Sequence, residues 1–181
     1  MLRLSTRRKR REWEAEFVSE YVAATFPGRR AYFHQRLGTW PGPLTSEDLS
    51  DAERSLIRVY MRWADAVIPL EDQIIVVEGK LRASEFLKGL GELLVYTQLI
   101  PHTEQFRAWR GSKVVGRLLI PILDPVVSAI AGRQGFQVAV FKPSFWDEFL
   151  DTIQGRQSRP IRPKEAELFG EAGGAPAPGG A

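Results

Sequence analysis

"DAVIPLEDQIIVVEGKL", residues 65–81, is the stretch on which the fold turns. Two short apolar runs, rich in Val and Ile, flank the pair Glu71–Asp72. Runs of this length and composition read as strands, and so short a connection makes them an antiparallel hairpin. With Glu71–Asp72 as the turn, Leu70 faces Gln73 and Asp65 faces Glu78; a four-residue loop centred on the same place keeps that register. Residues directly opposite share a face, with Cβ atoms roughly 5 Å apart. Side chains alternate along a strand, so Lys80 falls on the face of Glu78. The hairpin therefore predicts Asp65, Glu78 and Lys80 as one cluster on a strand that otherwise looks like core.

Two opposed carboxylates repel unless a positive charge lies between them. A divalent ion meets that cost, and oxygen donors suit Mg²⁺ or Mn²⁺. A metal beside a lysine in a wet cleft is a setting for phosphodiester hydrolysis: the metal polarises the phosphate and acidifies bound water, and the lysine orients that water or stabilises charge on the phosphate. The plainer reading of Glu78 and Lys80 is an ion pair on a solvated strand.

The rest of the chain places this hairpin in a mixed α/β order. Residues 9–25 predict a helix, with Trp13, Phe17, Tyr21 and Ala24 at helical spacing and Pro27–Gly28 as its stop. A strand follows at 30–37, then a loop, then a helix over 50–64 opened by a Ser50/Glu53 capping box. After the hairpin come a helix at 84–99, a strand at 114–122, a helix at 124–135, a strand at 136–142 and a helix at 144–153. In the helix at 84–99, Leu87, Leu90 and Leu94 read as the core side, with Lys88, Glu92 and Tyr96 on another. The order predicts an α+β domain over residues 12–156, a central mixed sheet flanked by helices.

These motifs resemble the PD-(D/E)XK nuclease superfamily, with its restriction-endonuclease-like fold. "RWADAV" looks like the first half of its signature and "VVEGKL" the second, and "GELLVYTQL" resembles the following helix of the RecB-like branch. The resemblance covers roughly residues 12–142 by element order. It implies Asp65 and Glu78 as ligands of Mg²⁺ or Mn²⁺, the Gly79 carbonyl as a further oxygen ligand, and Lys80 as the catalytic lysine. It also implies Glu16 as an assisting carboxylate, and Glu92 and Tyr96 as site-facing residues, Glu92 standing where the branch carries Gln. The activity implied is metal-dependent hydrolysis of DNA by activated water. Such folds are also reused without catalysis, so the second expectation is a structural adaptor, a homo-oligomer or part of a larger nucleoprotein assembly such as a bacteriophage particle.

The 181 residues suffice for one well-packed domain. They include no cysteine, which excludes disulfides and cysteine-ligated zinc or iron–sulfur sites. His34 and His102 have no partner at metal-binding spacing, and there is no Gly-rich phosphate loop or Gly-x-Ser-x-Gly turn. The best apolar run, Val114 to Ala131, is broken by Arg117 and Asp124, so no membrane span is expected. The expected location is the cytoplasm, or the virion for a phage protein.

The net charge of +3 is uneven. Residues 1–11 hold six basic groups, Arg3, Arg7, Arg8, Lys9, Arg10 and Arg11, leaving 19 basic and 22 acidic residues in the rest. Arg7 to Arg11 read either as a solvated arm or as a flexible contact to DNA phosphates; six neutralised phosphates give a log–log salt slope of roughly −5. Residues 157–181 are Gly/Ala/Pro-rich and read as a disordered tail. The five tryptophans, Trp13, Trp40, Trp63, Trp109 and Trp146, are too dispersed to predict a base-stacking platform and read as core. Arg107, Arg110 and Lys113 read as a solvent loop or a phosphate contact.

Overall fold

A computed structural model describes residues 10–38 and 62–157. Its elements are α1 (Arg10–Thr25), β1 (Tyr32–Leu37), β2 (Arg62–Pro69), β3 (Gln73–Gly79), α2 (Phe86–Leu99), β4 (Lys113–Ile120), α3 (Pro125–Arg133), β5 (Gln137–Val140) and α4 (Trp146–Gln157). The chain divides after Ser144 into two compact units, and α4 belongs to the second.

The hairpin forms in the expected register. Leu70 N–H donates to the Gln73 carbonyl at 2.8 Å, and Ala66, Val67, Ile68 and Pro69 pair with Val77, Val76, Ile75 and Ile74. The sheet runs β1-β2-β3-β4-β5, antiparallel from β1 to β3 and parallel from β3 to β5. Parallel neighbours need long crossovers, which α2 and α3 supply. Both crossover helices pack on one face and α1 covers the other, so β3 is buried from Ile74 through Gly79.

Alternation along β3 decides what each face meets. Gly79 looks toward α1, where a Cβ would come within 2.6 Å of Val18 Cγ2. Val76 and Ile74 look the other way, into a core shared with Leu90 and Leu93 of α2, Leu118 and Ile120 of β4, and Val127 and Ala131 of α3. The start of α3 is capped: Asp124 Oδ1 accepts from the Val126 and Val127 amides, both at 3.0 Å, with Pro125 in the first turn.

The structure corrects two sequence expectations. Arg62, Trp63 and Ala64, read as the end of a helix, are strand: they pair with Leu37, Arg36 and Gln35 of β1. Residues 50–61 of that expected helix, with Ser50 and Glu53, lie outside the described residues. On α2, Leu87 and Leu94 are exposed (59% and 51%), and the buried stripe is Phe86, Gly89, Leu90, Leu93 and Tyr96. Gly89 sets that rotation, because a Cβ there would stand 2.6 Å from Leu118 Cδ1; the helix turns its smallest residue to the sheet and carries the two leucines outward. Arg10 and Arg11 open α1, within the helix expected over 9–25, while Arg7, Arg8 and Lys9, like residues 158–181, lie outside the described residues.

Candidate functional site

The sheet is interrupted at Asp65. The β1–β2 ladder pairs Phe33 with Ala66 and Gln35 with Ala64 but passes over His34, which has φ of 45°. The β2–β3 ladder ends at Ala66 and Val77. Asp65 substitutes a side-chain bond for the missing rung: its Oδ2 accepts from the Gly79 amide at 2.9 Å. Beyond Gly79, the Lys80 amide donates to the Leu119 carbonyl at 2.9 Å, so β4 keeps the end of β3 aligned.

Glu78 and Lys80 are 3% and 6% exposed. Lys80 Nζ donates to Glu78 Oε1 and lies 2.7 Å from Glu92 Oε2, one and a half turns into α2. Glu92 Oε1 lies 3.6 Å from the exposed Lys88 ammonium. The Lys80 stem passes under α2 where Gly89 leaves room; a Cβ at Gly89 would sit 3.0 Å from Lys80 Cγ. Glu78 Oε2 is buried and receives no hydrogen bond from a donor.

Electrostatics follow from this crowding. Burial pushes the Asp65 carboxyl up to about 6; the Gly79 amide and Lys80 pull it down, and Glu14 and Glu92 push it further up. Glu78 is raised well above the ordinary carboxylate range, by burial first and then by Asp65, with Lys80 opposing. Glu92 is net lowered: burial raises it, but Lys80, the adjacent Glu78 and Lys88 outweigh that. Lys80 is net raised, burial being overcome by Glu78 and Glu92. Tyr96 is held firmly neutral by burial and by the surrounding carboxylates. Asp65, Glu78 and Glu92 against Lys80 leave two formal negative charges, a deficit that protons or one divalent cation would cancel.

These side chains line a cleft of about 1130 Å³. Asp65, Glu78, Lys80, Glu92 and Tyr96 are all in its wall. Glu16 is not: α1 presents Glu14, Ala15 and Ser19 instead. Glu14 lies one turn before Val18, the residue packed under Gly79, a contact that no sequence pattern shows. Phe33, His34, Arg62 and Trp63 also line the cleft, and none was expected there. Trp63 stands two residues before Asp65 on the same strand, so alternation would have placed it on the site face once Arg62–Ala64 were read as strand. The basic arm is not part of this picture: Arg7 to Lys9 are outside the described residues, and Arg10 and Arg11 are described only as backbone.

The donor set fits a hard divalent cation. Mg²⁺ keeps several waters and is commonly held by one or two carboxylates. The Asp65–Glu78 pair, with the donorless Glu78 Oε2, matches that need. Among the described residues no group of three His, Asp or Glu side chains is gathered to hold a metal, so the remaining ligands would be backbone, water or substrate oxygens.

No family model and no curated protein matches the sequence. Several solved structures are similar to it. EndoMS in complex with double-stranded DNA is 20% identical with a TM-score of 0.42, over 73% of this chain and 44% of that one. A repair endonuclease from Pyrococcus abyssi is 15% identical with a TM-score of 0.42, over 77% and 50%. The small subunit of the heterodimeric restriction endonuclease R.BspD6I is 10% identical with a TM-score of 0.40, over 85% and 75%. The chain spans about half the length of the first two. Among the described residues, no helix is long and apolar enough to cross a membrane.

Proposed function

We propose that the chain is a divalent-metal-dependent nuclease that hydrolyses DNA phosphodiester bonds. The observation that carries this reading is the cluster of Asp65, Glu78 and Glu92 around one buried lysine in an open cleft, two negative charges in excess. Asp65 and Glu78 would hold Mg²⁺ or Mn²⁺, with the Gly79 carbonyl as a further oxygen. When bound, such an ion polarises the scissile phosphate and lowers the pKa of water. The chain's own residues do the rest. The Gly79 amide fixes Asp65 and leaves its second oxygen for the ion. Lys80 Nζ orients water and stabilises charge on the phosphate. Tyr96 offers a neutral hydroxyl donor beside the carboxylates. The basic residues Arg7 to Arg11 would add sequence-independent phosphate contacts.

Glu92 favours a second reading. It engages Lys80 in addition to Glu78, at 2.7 Å, and a lysine so engaged suits a fold retained as an adaptor in a nucleoprotein assembly such as a phage particle. Incubation of supercoiled plasmid and short oligonucleotides with Mg²⁺ or Mn²⁺ tests the choice. The nuclease reading expects cleavage that EDTA stops and that Glu78→Gln abolishes. Metal binding without cleavage, or neither, points to the adaptor.

A further inference from the structure

We infer that the stacked rings of Trp63 and His34 form a platform for an unpaired nucleobase beside the scissile phosphate. This rests on the nuclease reading and names its substrate as a single-stranded, frayed or flipped nucleotide. The two rings lie 4.6 Å apart and 12° from parallel, a cross-strand pair diagonal across β1 and β2. Trp63 is 39% exposed and Phe33, beside His34, is 49% exposed; all three line the cleft.

Three features make a base the fitting occupant. The platform is on the strand that carries Asp65, two residues away, which is roughly 7 Å. That is about one nucleotide of an extended strand, so a base stacked on Trp63 leaves its neighbouring phosphate at the carboxylates. Second, the cleft lining holds four acidic residues, Glu14, Asp65, Glu78 and Glu92, against Arg62, Lys80 and Lys88. Without a metal that balance does not draw phosphate in, whereas the uncharged face of a base gains from stacking. Third, His34 holds φ of 45°, a left-handed conformation that a non-glycine residue adopts at a cost. The kink interrupts the ladder and turns Phe33 and His34 together into the cleft.

Fluorescence anisotropy without divalent ions tests this with a labelled twelve-residue oligothymidine, an abasic strand of equal length and the matched duplex. The abasic strand presents the same phosphates to the whole protein, the basic arm included, so it removes the bases alone. Binding of oligothymidine should exceed that of the abasic strand and of the duplex. Trp63→Ala should weaken it about 5- to 150-fold, and Trp63→Phe should restore most of the loss. Equal binding of abasic and normal strands, preference for the duplex, or a Trp63→Ala protein that binds as the parent does overturns the platform. The two readings fail separately. Cleavage without base-dependent binding leaves the nuclease and removes the platform; base-dependent binding with no cleavage in Mg²⁺ or Mn²⁺ does the reverse.

Discussion

The carboxylate of Asp65 is bonded to the backbone of Gly79, Oδ2 to N–H at 2.9 Å, across the open end of the hairpin. One contact thus joins two demands. It fixes a carboxylate beside Glu78, and it satisfies a buried amide that the shortened ladder leaves without a backbone partner. Gly79 also supplies the space for the other side of the sheet, so the position is constrained from both faces.

Gly79→Ala should therefore be costly. Its Cβ would meet Val18 Cγ2 at 2.6 Å, and overpacking of this kind costs about 1–3 kcal/mol. Urea denaturation should show the lower midpoint. Combining it with Val18→Ala, which removes the clashing methyl, should recover part of the loss; strict additivity of the two changes would show that they do not meet.

Acidity should stabilise the metal-free protein. Asp65 rises from 3.8 to about 6 on folding, so between those values the folded chain binds more protons than the unfolded one. Stability then falls as pH rises from about 4 to about 6, and it stays reduced above that window. Asp65→Asn keeps an acceptor for the Gly79 amide and should flatten the fall. Thermal melting from pH 4 to 8 measures it. Added Mn²⁺ should raise the midpoint more at pH 7.5 than at pH 5, since the ion competes with protons for the same oxygens.

Lys80→Ala and Glu78→Gln should separate stability from metal binding. Removing Lys80 strands Glu78 without its cation and should destabilise by about 3–5 kcal/mol. Mg²⁺ titration by calorimetry should still detect binding to the folded Lys80→Ala protein while cleavage is lost. Glu78→Gln should lose both together. Binding that survives Glu78→Gln at parental affinity would take Glu78 out of the ligand set.

Glu92→Gln should raise cleavage several-fold. It removes one of the two carboxylates that engage Lys80 and leaves the Glu78 pair intact. Glu92 is partly exposed, so stability should change by no more than about 1 kcal/mol. Initial rates on oligonucleotides at fixed Mn²⁺ give the comparison, and an unchanged or lower rate argues that Glu92 takes part in the chemistry.

The hairpin and its register were legible because both are local: a short connection and strict alternation set Ala66 against Val77 with no other part of the chain consulted, one residue short of the Asp65–Glu78 pair. What the sequence hid depended on distant partners. Trp63 reads as the end of the helix opened by the Ser50/Glu53 capping box, and only pairing with Arg36 of β1 makes it strand. Leu87 and Leu94 looked like core because hydropathy cannot see that Gly89 must face Leu118. Glu14 and Glu16 are indistinguishable by type, and the packing of Val18 beneath Gly79 selects between them.

The Lys80–Leu119 rung has a consequence for synthesis. Asp65 through Tyr96 leave the ribosome well before β4, and the crossover that brings β4 beside β3 is a slow, non-local pairing. A nascent chain that ends short of Leu119 carries the whole acidic cluster from Asp65 to Glu92 but not the strand that aligns it. The cleft is thus completed late, when the chain is long enough to close its own crossover.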